Sequence, residues 1–146
     1  MIEGSAMPGR AKTSEMDRPW IMIFSHGFPP HDVYGVPRHV ERLANFLTSV
    51  GIGVIVVSGG STNLPSYQWM NERLLVIRLR PPFVPRERDS STWRLLWYTI
   101  ASIFVAEKLA KKFQVQLFHG NGSYYGGWQA ALAALLARRP LTITIH

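Results

Sequence analysis

Three short stretches of the sequence place polar side chains directly after apolar runs. His26-Gly27 follows WIMIFS, the stretch 119–122 (HGNG) follows VQLF, and His146 closes LTITIH. Histidine and asparagine bind ligands through hydrogen bonds, and histidine also exchanges a proton near neutral pH. Glycine lets a ligand or a second backbone segment approach the main chain closely. These residues therefore predict a ligand site, provided that the fold brings the three stretches together.

The elements that must position these stretches alternate between strands and helices. Strands are predicted over 20–25, 54–58, 74–79, 115–119 and 141–145, and helices over 36–50, 93–113 and 128–138. This order is typical of the α/β class, and it predicts a Rossmann-like three-layer sandwich with a mostly parallel sheet. In such sheets ligands bind beyond the carboxyl ends of the strands, where all three polar stretches lie.

Length and composition restrict the class of protein further. The 146 residues suit one domain, which we place at residues 19–146 after a flexible N-terminal tail of residues 1–18. The tail lacks the apolar segment of a secretory signal, and the absence of cysteine fits a reducing compartment, so we expect a cytoplasmic protein. The five histidines lack the spacing of a zinc site, and no metal or cofactor is expected.

The net charge of +7 indicates affinity for phosphate-bearing partners. The basic residues are scattered and carry no aromatic-basic RNA motif, so nucleic acid is not an expected partner. The aromatic residues Trp93, Trp97 and Tyr98 precede lysines on one predicted helix. Their simplest interpretation is a core with a solvated face, and the alternative is peripheral docking to an anionic membrane.

Two familiar kinds of site fit the loops poorly. HGFP is similar to the oxyanion loop of α/β-hydrolases, but Ser123 lacks the flanking glycines of a nucleophile elbow, and no acid follows it. The glycines from Gly120 to Gly126 approach a dinucleotide fingerprint, but no acidic residue stands about 20 positions later to bind a ribose. A P-loop sequence is absent.

Four segments in order resemble the N-terminal domain of GT-B glycosyltransferases, specifically glycosyltransferase family 4. They are FSHGFPPHDVYGVPRHVERLANFL, GIGVIVVSGG, QLFHGNG and PLTITIH, and the resemblance as a whole runs from about Trp20 to His146. Three positions depart from the family pattern. Tyr34 replaces the first glycine of a Gly-Gly loop, Pro37 replaces a glutamate, and Asn121 replaces the second histidine of an HxH motif.

The resemblance implies one half of a GT-B architecture and metal-independent transfer of a sugar from a nucleotide-sugar donor to a sugar or lipid-linked acceptor. It places His119 and Asn121 at the catalytic positions, although an asparagine cannot act as a general base. It assigns substrate binding to Tyr34, Gly35, Arg38, Gly122 and His146. By the same resemblance, the Gly35 loop lies near the donor phosphate, and His146 lines the cleft floor with His119 and Asn121.

The resemblance also implies a C-terminal donor-binding domain, with paired glutamates, that this sequence does not contain. We therefore expect a domain that is inactive alone and works with a donor domain or a partner chain. The alternative is a non-catalytic Rossmann-like module that binds a nucleotide or a partner, for example as one subunit of a split enzyme. Two histidines keep simpler interpretations: His26 as a turn residue, and His39 as a solvated surface residue outside the apolar stripe of its helix.

Overall fold

The structure is a computed structural model that describes residues 18–30, 32–59, 64–80, 91–122 and 126–146. Its elements, in chain order, are β1 (Trp20–Phe24), α1 (Val36–Ser49), β2 (Gly53–Gly59), β3 (Tyr67–Asn71), β4 (Leu74–Leu79), α2 (Ser91–Phe113), β5 (Val115–Asn121), α3 (Trp128–Ala137) and β6 (Leu141–Thr144). Apart from Arg18, the predicted N-terminal tail lies outside the described residues, as does Ser123.

The strands form one six-stranded sheet in the order β3-β4-β2-β1-β5-β6. All neighbouring pairs are parallel except β3 and β4, which are antiparallel. The prediction of a mostly parallel Rossmann-like sheet is confirmed. Strands are added on both sides of β1. Because β1, β2, β4, β5 and β6 run parallel, their carboxyl ends lie along one edge of the sheet.

Apolar residues on both faces of the sheet give the domain two cores, which makes it a three-layer sandwich. On one face, Met22 and Phe118 pack with Leu109 of α2 and Ala130 of α3. On the other face, Ile23, Val54 and Val56 pack with Val40 and Ala44 of α1. The near-continuous apolar character of β1 and β2 follows from this burial on both sides.

The sequence analysis predicted five strands and did not predict β3, so its count of strands is wrong. β3 is an edge strand that pairs with β4 in the register Gln68↔Val76. Its sequence, YQWMN, has neither alternation nor a continuous apolar run, because an edge strand buries little. Tertiary contacts hold β3 instead. The ring centroid of Trp69 lies 6.4 Å from that of Trp20 and 6.0 Å from that of Phe113.

The aromatic residues of α2 divide between core and surface. Tyr98 is buried as expected, but the prediction that Trp93 and Trp97 belong to the core is wrong, since they are 71% and 37% exposed. Leu96 and Phe104 are also exposed. Among the described residues, no helix combines the length and apolar character that crossing a bilayer requires.

Candidate functional site

The candidate site lies where β5 and β6 end, on the sheet face that α1 covers elsewhere. The two strands are parallel, with His119 opposite Thr142 and Asn121 opposite Thr144. Residues at alternate positions of a strand share one face, so these four side chains form two adjacent rows. Because His119 is also in register with Ile23, the rows lie on the face of Ile23 and α1.

His119 is half-buried, and both of its ring nitrogens are hydrogen-bonded to threonines of β6. Nδ1 lies 2.9 Å from the Thr142 hydroxyl, and Nε2 lies 3.3 Å from the Thr144 hydroxyl. A neutral imidazole donates from one nitrogen and accepts at the other, so it satisfies both hydroxyls at once. The ring is therefore held in one orientation, and a ligand that binds either nitrogen must displace a hydroxyl.

Asn121 is almost fully buried at the end of β5. Its side-chain oxygen accepts a 2.8 Å hydrogen bond from Nε2 of His146. Its Nδ2 is buried and has no hydrogen-bond partner among the described residues. Because an unpaired buried donor is costly, Nδ2 is available to any acceptor that enters this position.

His39, on α1, also belongs to this group. The sequence alone indicates a solvated surface residue at this position. Its side chain is exposed, but its ring lies edge-on to that of His146, with the centroids 5.1 Å apart. Burial lowers the pKa of His119, and the neighbouring His39 and His146 lower it further. The lowered pKa favours the neutral imidazole, which suits the two hydroxyl partners of His119.

The turn before α1 supplies the predicted site residues Tyr34 and Gly35, and the first turn of α1 supplies Arg38. Gly35 has a φ of +55°, a conformation that favours glycine, and a Cβ at this position would meet no atom within 4 Å. Tyr34 is 85% exposed, and Arg38 forms a 2.8 Å ion pair with Glu41. In the described part of the chain, neither Tyr34 nor Arg38 makes a hydrogen bond to His39, His119 or His146.

The glycine-rich loop after β5 is explained by backbone packing. A Cβ on Gly120 would lie 2.6 Å from the Cα of Gly127, where α3 begins. The N–H of Gly127 donates a 2.7 Å hydrogen bond to the carbonyl of Gly122, and Gly122 in turn donates one of 2.9 Å to Thr144. These glycines bring the start of α3 close to β5 and β6, so they account for the spacing that is similar to a dinucleotide fingerprint.

Two residues that position the site, and a third that anchors α2, were missed in the sequence. Thr142 and Thr144 hold the ring of His119, and only the register of β6 against β5 reveals this role. The hydroxyl of Tyr98 lies 2.7 Å from the carbonyl oxygen of Ser25 and 3.0 Å from that of Val57, and burial raises its pKa. Tyr98 therefore joins α2 to the carboxyl ends of β1 and β2, and its place in an aromatic cluster gave no signal of this.

The sequence profile described as Glycosyltransferase Family 4 matches residues 33–146, which is well over half of the chain. The chain belongs to glycosyltransferase family 4. Together with the Rossmann-like sandwich, this membership makes it an N-terminal domain of the GT-B type. No curated protein sequence matches the chain significantly.

The solved structures similar to the chain include two of sucrose-phosphate synthase from Thermosynechococcus elongatus. The first matches with a TM-score of 0.65 and 22% identity over 88% of this chain and 33% of that protein. The second, a shorter form, matches with a TM-score of 0.57 and 18% identity over 88% of this chain and 63% of that one. At these identities the likeness establishes the fold. The chain spans about one third of the length of the first structure.

The geometry limits the chemistry that this group of residues can perform. Asn121 can bind but cannot accept a proton from an attacking hydroxyl. His119 is held by two threonine hydroxyls and His146 is bonded to Asn121, so the site offers imidazole and amide groups for hydrogen bonding. In the described parts of the chain, no three His, Cys, Asp or Glu side chains are arranged to hold a metal ion.

Proposed function

We propose that this chain is the acceptor-side half of a glycosyltransferase that transfers a sugar from a nucleotide-sugar donor to an acceptor hydroxyl. The observation that carries the proposal is the meeting of His119, Asn121 and His146 at the carboxyl ends of β5 and β6 in a family 4 chain. Ligands of open α/β sheets bind at this edge. The half-buried His119, the exposed His146 and the unpaired Nδ2 of Asn121 suit the hydroxyl groups of a sugar.

In this proposal, the transfer takes place in a cleft between this domain and a donor-binding domain, in the same polypeptide or in a partner chain. The Gly35 turn and the N-terminus of α1 border the cleft on this side, and backbone without a side chain permits close approach of the donor phosphate. Residues 19–146 form the acceptor-side domain. Catalysis needs donor and acceptor held together, so the chain alone is inactive.

The experiment compares the 146-residue chain with the complete polypeptide encoded by its reading frame. Both are incubated with a panel of nucleotide sugars and with sugar or lipid-linked acceptors, and sugar transfer is measured. We expect no turnover above buffer from the chain alone and turnover from the form that includes a donor domain. Turnover by the chain alone would overturn the two-domain arrangement. No turnover by any form, combined with specific binding of a nucleotide or a partner chain, would favour the non-catalytic module.

The outer side of α2 supports a further element of this proposal, peripheral contact with an anionic membrane that carries a lipid-linked acceptor. Trp93, Trp97, Ile100 and Phe104 recur at helical spacing, and all four are exposed. Lysines follow them toward the end of the helix, at 108, 111 and 112. Exposed aromatic residues next to lysines, in a chain of net charge +7, are complementary to anionic headgroups.

Co-sedimentation with vesicles tests this contact. We expect binding to vesicles that contain an anionic phospholipid, weaker binding to purely zwitterionic vesicles, and loss of binding in the double variant Trp93→Ser, Phe104→Ser. The matched control is Leu135→Ser, because Leu135 is 74% exposed on α3. Equal sedimentation of the double variant and the unmodified chain would exclude α2 as the membrane contact.

A further inference from the structure

Arg78, on β4, is a buried cation without a carboxylate partner among the described residues. Its relative exposure is 2%. Burial lowers its pKa, and the charge of Arg80 lowers it further. A charged group removed from water costs stability unless hydrogen bonds compensate it. The position of its donors therefore indicates what the side chain does.

The guanidinium of Arg78 joins two separate segments of the chain through carbonyl and amide oxygens. Nη2 donates a 3.2 Å hydrogen bond to the carbonyl of Pro29, in the loop after β1. Nη1 donates 2.8 Å and 3.4 Å bonds to Oε1 of Gln68 and the carbonyl of Pro65, on and before β3. A planar, forked donor is suited to such multiple acceptors, and a lysine could not reproduce the geometry.

The loop that Arg78 contacts needs an external anchor. Pro29 and Pro30 lack backbone N–H groups, so this part of the loop cannot be held by donating main-chain hydrogen bonds. Phe28, which is 2% exposed, anchors one side of the loop in the core beside α1. The bond from Arg78 to Pro29 fixes the loop from the β4 side.

The same loop continues to the Gly35 turn and to α1, which carries His39 to the side of His146. We propose that Arg78 is a positioning residue that fixes the Phe28–Pro30 loop and thereby places the Gly35 turn at the reaction cleft. In this proposal Arg78 acts through the loop, since its Nη1 and Nη2 are both engaged by Pro29, Pro65 and Gln68. The effect on the cleft rests on the proposed function, whereas the anchoring of the loop does not.

Hydrogen exchange tests the anchoring without any assay of activity. Arg78→Met keeps the length of the side chain and removes its donors. We expect amides in the peptide covering 26–35 to exchange on the order of tenfold faster, while those of α3 keep their rates. Arg73→Met is the matched control, since Arg73 lies in the turn of the same β3–β4 hairpin and its side chain makes none of these bonds. It should leave both peptides unchanged.

A second variant covers the case in which Arg78→Met does not fold. Gln68→Leu leaves the cation in place and removes its 2.8 Å acceptor, so we expect a smaller acceleration confined to the same peptide. If Arg78→Met folds, unchanged exchange over 26–35 in that variant would overturn the proposal. If only Gln68→Leu folds, unchanged exchange over 26–35 in Gln68→Leu would overturn it. Faster exchange throughout the domain would also overturn it, because it would indicate general destabilisation.

Kinetics of the active enzyme form then test the consequence for the cleft. For Arg78→Met we expect kcat to fall by about tenfold or more while the KM values change by less than about threefold, because the bound groups are misplaced. Arg78→Lys should restore little of this loss, since one ammonium cannot hold both segments. Unchanged kcat would remove the link to the cleft. Failure to find any transferase activity would reject the proposed function, and the exchange result would still decide the anchoring.

Discussion

His146 Nε2 donates a 2.8 Å hydrogen bond to Oδ1 of Asn121, and this bond ties residue 146 to the end of β5. The same imidazole lies edge-on to that of His39 from α1. Two strands and a helix that are distant in sequence thus meet through one side chain. The predictions that follow concern this group of residues and the turn that leads into α1.

Replacement of Asn121 by alanine should lower stability, because it removes the hydrogen bond to His146 and opens a small cavity at a buried position. The expected loss is about 1 kcal/mol in the free energy of unfolding, since Nε2 of the exposed His146 can turn to water and the unpaired Nδ2 is removed as well. Chemical denaturation measures it. Gln116→Ala is the matched control, since Gln116 is an exposed residue of the same strand. Similar losses in the two variants would show that the Asn121–His146 bond contributes nothing specific.

Replacement of His119 by alanine should reduce kcat/KM of the active enzyme form by ten- to a thousand-fold, roughly 1.4–4 kcal/mol of transition-state stabilisation. The physical reason is the loss of a neutral, oriented imidazole at the carboxyl end of β5. Because Thr142 and Thr144 also lose a partner, the melting temperature should fall to some extent.

The two effects of His119→Ala are separated by measuring both on one protein. Thr142→Val is the control, because it removes one hydrogen bond from the ring and leaves the imidazole present. A large loss of stability with unchanged kcat/KM would make His119 a structural residue and remove it from the site.

The depressed pKa of His119 predicts a pH-dependent stability. The unfolded state binds a proton near the ordinary value of 6.5, whereas the folded state binds it only at lower pH. The contribution is therefore fully present above pH 6.5 and is lost as the pH falls through the folded pKa. We expect the melting temperature to drop between pH 7.5 and 5, and to drop less in His119→Gln.

Gln116→Ala is the control for this pH dependence, because Gln116 is an exposed residue of the same strand and carries no titratable group. It should retain the full decrease seen in the unmodified protein. An identical decrease in His119→Gln would assign the pH dependence to other groups.

Replacement of Gly35 by alanine should destabilise the domain although the site has room for a methyl group. The cost comes from the backbone, since φ is +55° and ψ is −121°, and we expect about 1–3 kcal/mol. Tyr34→Ala is the control, because the neighbouring Tyr34 is 85% exposed. Chemical denaturation should show that this variant loses no more than about 0.5 kcal/mol in the free energy of unfolding. Equal stability of Gly35→Ala and the unmodified protein would mean that the turn tolerates another conformation.

Much of the fold follows from the sequence alone. The buried strands β1, β2 and β4 are continuous apolar runs, and the stripe through Val40 and Ala44 marks α1, so local patterns determined these elements. Their alternation determined the mostly parallel sheet, and the four motifs identified the family. Such patterns persist because each records which faces of an element are removed from water.

The remainder depended on contacts between distant segments. β3 has no pattern of its own and is held by β4 and by the rings of Trp20 and Phe113. The register of β6 against β5 places two threonines on His119, and α1 brings His39 to His146. Arg78 likewise resembles a surface cation in the sequence, and only the tertiary structure encloses it against Pro29 and Gln68. Sequence patterns record burial along one element, whereas these partners are set by how the elements pack together.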